Sequence, residues 1–343
     1  MNWIKHNSIK EVPITLWQKI GDGNPCLSYE FMEIVESLHP KDRFCYAILY
    51  DEHKLVGIAF YYVFNTLPTI FRRFSIGNIL MTGTFETYGR HYWFDTSQIN
   101  EHDFLNQIWL LLKQENVLAY IIRDYVTNHF SIDSFFRNNC FVHIKPYAVS
   151  LIEIPEDCLT LNDYFYLSCS KKHRNTYKRL FKERNNQNVS FVVEYDFDAN
   201  VDRLYNLYLN VNKKANEFKS SPIPQLFFES LKKEFGNNCF CIIMKHNNHN
   251  IVGFVLVIQN EYMMIPFLMG IDYKYRSLHV WHNLTLECLR YAIDNRIKEI
   301  DLGLTNYELK KRLGAKKYDI NMLARFRNNI INKYFNFTLS KLI

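Results

Sequence analysis

The densest chemistry in this chain lies between residues 300 and 317, IDLGLTNYELKKRLGAKK. Asp301, Thr305, Tyr307, Glu308 and Lys310 crowd the end of a short apolar run. A carboxylate, a phenol and an ammonium so close together offer a proton acceptor, a proton donor and a cation for a carbonyl or an anion. Gly303 and Gly314 permit unusual backbone angles or close approach. Ligands of open α/β sheets favour such strand ends. The plainer reading is an ordinary strand exit with a solvated tail.

A second constellation is electrostatic. The segment SKKHRNTYKRLFKER, 170–184, holds seven Lys/Arg from Lys171 to Arg184, interrupted only by Glu183. On a helix, Lys171, Arg174, Lys178 and Lys182 fall at steps of three and four and share a face, with Lys172 beside them. Tyr177, Leu180 and Phe181 are left to face the protein. Such a stripe suits a coenzyme diphosphate, the acidic surface of a carrier protein or an RNA backbone. The alternative is a solvated helix face. His279 and His282 stand at i and i+3 at a helix start, which is half of a metal site, but no third ligand is suitably spaced. A packed or capping pair is the simpler reading. No GxxxxGK[ST], GxGxxG or GxSxG pattern occurs, so ATP, dinucleotide and serine-hydrolase readings lose their usual support.

The elements that must position these groups are written twice. Residues 44–64 read FCYAILYDEHKLVGIAFYYVF and residues 238–258 read NCFCIIMKHNNHNIVGFVLVI. Each is an apolar strand, a polar turn and a second apolar strand with one glycine, Gly57 or Gly253. Each is followed, after loops of different length, by an amphipathic helix and a short strand, 104–125 and 280–305. This predicts an α/β chain of two related domains, each a mixed β-sheet flanked by helices. A length of 343 residues suits two cores. The expected domains are 1–155 and 156–343, divided after Pro155. Ser28 is expected to cap a helix with Phe31, Ile34 and Val35 inside, and one long helix is expected over 161–184.

Charge is uneven. Residues 1–150 hold 13 Lys/Arg against 15 Asp/Glu, net −2, leaving 28 against 20, net +8, in the remainder. An anionic partner is therefore expected on the second half. The first 17 residues contain no apolar leader core, and no run approaches the ~20 residues that span a bilayer. The eight cysteines are scattered and read as reduced core residues. A cytoplasmic location without stable membrane insertion is the expectation.

Three stretches resemble the FemAB-like group of the GNAT acyltransferase superfamily: WQKIGDGNPCLSYEFMEIVESLH near the start, LSCSKKHRNTYKRL at the domain junction, and LHVWHNLTLECLRYAIDNRIKEIDLGLTNYELKKRLGA. In the third, the family has a helix, a strand ending in an acid and a glycine, and a lysine before an apolar residue and glycine. Asp301, Gly303, Lys310 (or Lys311), Leu313 and Gly314 stand there. The resemblance implies two GNAT-like domains and transfer of an acyl or aminoacyl group from an activated thioester or ester to an amine. One departure concerns the donor. Coenzyme A-binding members use a glycine-rich turn whose backbone N–H groups hold the diphosphate. This chain has Arg276-Ser277-Leu278-His279-Val280-Trp281, without either glycine.

Within that frame the donor is expected beside strand 262–271, near Met269 and Gly270, where backbone N–H groups hold an oxyanion. Lys171, Lys172, Arg174, Lys178, Lys182 and Arg276 would bind its anionic portion. Asp301, Glu287 and His279 are candidates for the base that takes the amine's proton. Tyr307 would donate to the leaving group, and Lys310 would orient the carbonyl or hold an anion. No tightly bound cofactor is expected: acyl-CoA, acyl carrier protein or aminoacyl-tRNA would be a co-substrate, and the acceptor a small-molecule or peptide amine. Two rival classes stand beside this reading: aminoacyl transfer from tRNA, as in enzymes of cell-wall or peptide-natural-product biosynthesis, and a non-catalytic binding module on the same fold.

Overall fold

The structure is a computed structural model that describes residues 1–21, 23–65, 77–126, 130–215, 222–304 and 306–339. Thr305 lies outside the described residues. The chain divides into two compact units, Met1–Tyr147 with Asp319–Ile343, and Ala148–Tyr318. The division therefore falls at Tyr147/Ala148, inside a strand, rather than at 155/156. Pro155 marks a turn within the second unit, because the preceding strand runs on to Glu153 without a break.

The first unit begins with β1 (Asn2–His6), α1 (Ile14–Gly21) and α2 (Tyr29–Leu38). Ser28 caps α2 by accepting from Phe31 N at 3.2 Å, and Phe31, Ile34 and Val35 are buried as the spacing predicts. The hairpin β2 (Arg43–Asp51) and β3 (Lys54–Asn65) follows, then β4 (Asn78–Thr82), the short β5 (Tyr92–Phe94), α3 (Glu101–Lys113), β6 (Ala119–Val126), α4 (Phe130–Asn138) and β7 (Val142–Glu153). β1, β2, β3 and β4 pair antiparallel in that order, and β6 lies parallel to β4.

The second unit contains α5 (Leu161–Ser168), α6 (Lys171–Asn186), β8 (Val189–Glu194), α7 (Val201–Lys214), α8 (Leu226–Phe235), β9 (Cys239–His246), β10 (Asn250–Gln259), β11 (Met263–Ile271), α9 (Val280–Asp294), β12 (Glu299–Asp301) and α10 (Tyr307–Arg312). β8, β9, β10 and β11 pair antiparallel in order, β12 is parallel to β11, and the end of β7 pairs antiparallel with β12. β13 (Lys316–Phe326) then pairs antiparallel with β6, completing the first unit's sheet, and α11 (Asn329–Leu339) closes the described chain.

The two units thus repeat one order, and the repeated glycines have one job. In the first hairpin Leu49 faces Gly57 and Tyr50 faces Leu55, so Val56 is an extra residue. In the second, Met244 faces Gly253 and Lys245 faces Ile251, so Val252 is the extra residue. Each bulge bends its strand beneath a helix. A Cβ on Gly57 would lie 2.2 Å from Phe104 Cε2 of α3, and one on Gly253 would lie 2.4 Å from Val280 Cγ1 of α9. The glycines let the helices seat on the sheets.

The single helix expected over 161–184 is two. Thr160 and Asp163 form a capping box that starts α5, and Ser170 starts α6 by accepting from His173 N. The polar pair Cys169-Ser170 breaks the run because Ser170 competes for backbone donors that a continuous helix would use internally. The apolar residues of α9, together with Phe165, Tyr177 and Leu180, form one core with β9 to β12.

Candidate active site

β11 and β12 begin side by side and then part. They pair only at Met263↔Glu299 and Met264↔Ile300. β12 ends at Asp301, and the chain turns through Gly303 at φ 71°. β11 continues to Ile271 with β10 on one flank and, among the described residues, no strand on the other. Its sequence explains the divergence. Pro266 has no N–H to give a ladder, and Phe267 is an extra residue between Val257↔Pro266 and Leu256↔Leu268. The result is a crevice lined by backbone of the far half of β11, which includes Met269 and Gly270.

Among the described residues, the corresponding strands of the first unit stay together for longer. β6 stays paired with β4 through Ile79↔Ala119, Leu80↔Tyr120 and Met81↔Ile121. Arg123 N then donates to Thr82 Oγ1 at 3.0 Å, and the Arg123 guanidinium donates to Thr84 O at 2.6 Å. Buried His91 packs so tightly against Gly83 that a Cβ there would sit 2.2 Å from His91 Nε2. The first unit has instead a small pocket beside this seam, lined by Tyr61, Thr82, His91, Arg123 and Asp124 among others.

The strand exit of the second unit gathers Asp301, Tyr307 and Lys310, as the sequence predicts, but engages their polar heads with backbone. Asp301 is 2% exposed and accepts from Gly303 N at 2.6 Å. Lys310 is 5% exposed and donates to Gly303 O at 3.0 Å and Leu304 O at 2.5 Å. The Tyr307 hydroxyl accepts from Ala148 N at 3.0 Å. Tyr164 donates to Leu313 O at 2.7 Å, and Gly314, at φ 91°, lies against it. These bonds fix the shape of the crevice's β12 side.

Glu287 is placed differently from expectation. It is buried in α9, paired with Arg184 of α6 and with Arg290, whose Nε lies 2.9 Å from Oε2. Two guanidiniums occupy its carboxylate oxygens, so it joins α6 to α9. His279 occupies the turn before α9 at φ 47°, ψ 43°, a left-handed conformation that a glycine would adopt without strain. Its half-exposed ring lies 3.8 Å from Glu183 Oε2 and 6.2 Å from the ring of His282. Burial, with the neighbouring His279 and Arg312, lowers the His282 pKa. Leu278 and Val280 turn into the core, so those two bulky side chains do not obstruct the turn. Arg276 is exposed, 6.0 Å from the Tyr273 ring.

Gly270 and Met269 serve opposite faces of β11. A Cβ on Gly270 would lie 2.2 Å from Phe254 Cε1 and 2.7 Å from Leu207 Cβ, so this glycine seats α7. Met269 packs on the α9 side.

On α6, Lys171, Lys172, Lys178 and Lys182 are exposed, while Tyr177 and Leu180 are buried. Arg174 folds back to donate to Cys169 O at 2.8 Å and lies 4.8 Å from the Tyr166 ring, with Lys178 at 5.7 Å. Arg312, which the sequence did not single out, extends this positive surface: its carbonyl accepts from Cys169 Sγ at 3.5 Å, and its guanidinium is exposed. Its signal was its place in LKKRLG, a run without acids.

Residues 170–311 match the family described as "Acetyltransferase (GNAT) domain". No curated protein matches the chain. Among solved structures, FemX aligns with a TM-score of 0.64 at 11% identity, covering 94% of this chain and 97% of that one. L-PGS from Bacillus licheniformis aligns at 0.53 and 11%, covering 85% and 86%. The C-terminal domain of a putative lysylphosphatidylglycerol synthetase from Agrobacterium fabrum aligns at 0.53 and 10%, covering 96% and 94%. The chain is an acyltransferase carrying a GNAT acetyltransferase domain. Its two mixed-sheet units give it the FemAB-like fold.

Proposed function

We propose that the protein is an N-acyltransferase whose second unit holds the activated donor in the opening between β11 and β12. The observation that carries this is the parallel pair that stops after Met264↔Ile300, inside the GNAT-matching segment, while the corresponding pair of the first unit runs on through Met81↔Ile121 and the bond from Arg123 N to Thr82 Oγ1. Unpaired strand N–H groups at such an opening stabilise the oxyanion of a tetrahedral intermediate. Asp301, Tyr307 and Lys310 shape its wall. His279 is the remaining candidate to accept the amine's proton, since Glu287 is held by two arginines.

The donor's anionic portion lies toward Arg276 and Lys182, with the rest of the α6 stripe attracting it at longer range. With no glycine before α9, a donor carried on a macromolecule is favoured over free coenzyme A. Aminoacyl transfer from an RNA carrier is the second reading, favoured by the seven basic residues from Lys171 to Arg184.

Calorimetry with acetyl-CoA, an acyl carrier protein and an aminoacyl-tRNA pool tests both. The expected result is weak binding of acetyl-CoA and tighter, salt-sensitive binding of one macromolecular donor, weakened by Lys182→Ala with Arg276→Ala. Tight, salt-insensitive acetyl-CoA binding that these substitutions leave unchanged defeats the donor assignment.

A further inference from the structure

The corner formed by α5, the start of α6 and the end of α10 carries more than a donor site requires. Tyr166 is 62% exposed and Leu167 58% exposed at the end of α5. Two basic stretches meet there. Residues 164–182 hold Lys171, Lys172, Arg174, Lys178, Arg179 and Lys182, and residues 309–318 add exposed Lys311, Arg312 and Lys317, beside buried Lys310 and beside Lys316, which pairs with Glu153 at 2.6 Å. The bonds from Tyr164 OH to Leu313 O, 2.7 Å, and from Cys169 Sγ to Arg312 O, 3.5 Å, join the two stretches.

We propose that this corner is a docking surface for an anionic phospholipid bilayer, independent of which donor the crevice takes. Charge complementarity is the first argument. Lysines on long stems adjust to a fluid layer of negative headgroups, each adding to the attraction within a Debye length. The two apolar side chains are the second. A tyrosine with its ring apolar and its hydroxyl wet suits the headgroup boundary, and Leu167 beside it gains by entering the acyl edge.

RNA is the competing polyanion, and the apolar pair Tyr166 and Leu167 fits it less well than it fits a bilayer. Base stacking needs an open aromatic face. The Tyr166 ring already has Arg174 at 4.8 Å and Lys178 at 5.7 Å. An exposed leucine gains nothing from a phosphate chain.

Sedimentation of the purified full chain with large unilamellar vesicles tests this without reference to turnover. Vesicles of phosphatidylcholine alone are compared with vesicles containing phosphatidylserine at about three parts in ten, a strongly anionic surface. The expected result is binding to the anionic vesicles only, falling as sodium chloride is raised. Tyr166→Ser with Leu167→Ser should weaken it about tenfold at fixed lipid composition, since buried apolar area is lost while charge is kept. Lys171→Glu with Lys172→Glu should abolish it. Equal binding to both vesicle types, no binding to either, or indifference to the Tyr166 and Leu167 substitutions overturns the proposal. So does displacement from vesicles by a polyuridylate that binds wild type and the serine variant equally, which would identify RNA as the polyanion.

Discussion

The ammonium of Lys310 reaches back to the carbonyl of Gly303 at 3.0 Å, pinning the turn by which β12 leaves the sheet. The position in a polar strand exit suggests a lysine whose loss lowers turnover but leaves melting almost unchanged. Burial reverses the second half of that expectation. Lys310→Ala would leave two inward carbonyls without their charged donor, at a cost of about 2 kcal/mol. Urea unfolding should show the loss, and turnover per folded molecule should fall as well because the crevice wall loses its shape. Unchanged unfolding would restore the solvent-facing role.

Glu287 separates a structural carboxylate from a catalytic one. Glu287→Gln strips the partner from Arg184 and Arg290, and breaking so buried an ion pair costs about 3 kcal/mol. Thermal melting should drop by several degrees while kcat per folded molecule stays near wild type. A normal melting curve with abolished kcat would make Glu287 the base after all.

The two hairpin glycines should respond alike. Gly57→Ala drives a methyl into Phe104, and Gly253→Ala drives one into Val280. Each should destabilise by about 1 to 3 kcal/mol, the usual cost of overpacking. Truncating the obstructing side chain in the same molecule, Phe104→Leu or Val280→Ala, should recover part of that loss in a double-mutant cycle. Additive losses would mean that the helices do not rest on these glycines.

Acid stability should report on Glu115. Burial pushes its carboxyl up, but Arg43, Tyr61 and Lys5 outweigh that and bring it down to about 2. Its folded pKa is thus depressed, so its stabilisation is fully present above the unfolded carboxylate value near 4.5 and is lost as the pH falls toward 2. Glu115→Gln should flatten the acid limb of stability measured by urea unfolding between pH 5 and about 2. An unchanged slope would show that another group governs it.

Much of the fold is legible in the sequence because alternation, caps and glycines act locally. Ser28, the two hairpins and the helix beginning near Val280 follow from neighbours a few residues away. What escapes depends on distance along the chain. Nothing near residue 316 announces β13, since its alternation is weak and its partner strand lies almost two hundred residues earlier. The candidate site divides the same way. Residue types at 300–317 mark the strand exit, but whether Lys310 meets solvent or Gly303 is decided by the turn between them. Glu287 looks like a free carboxylate until α6 brings Arg184 to it.

The return of the chain at Asp319 has a consequence for synthesis. A ribosome finishes every residue of the second unit before it makes the strand that the first unit lacks. The first unit must therefore wait, with the β6 edge uncapped, until the second unit has been read. A stop codon just ahead of Asp319 would leave the sequence of the crevice-bearing unit whole, and the damage would fall on the half that was translated first.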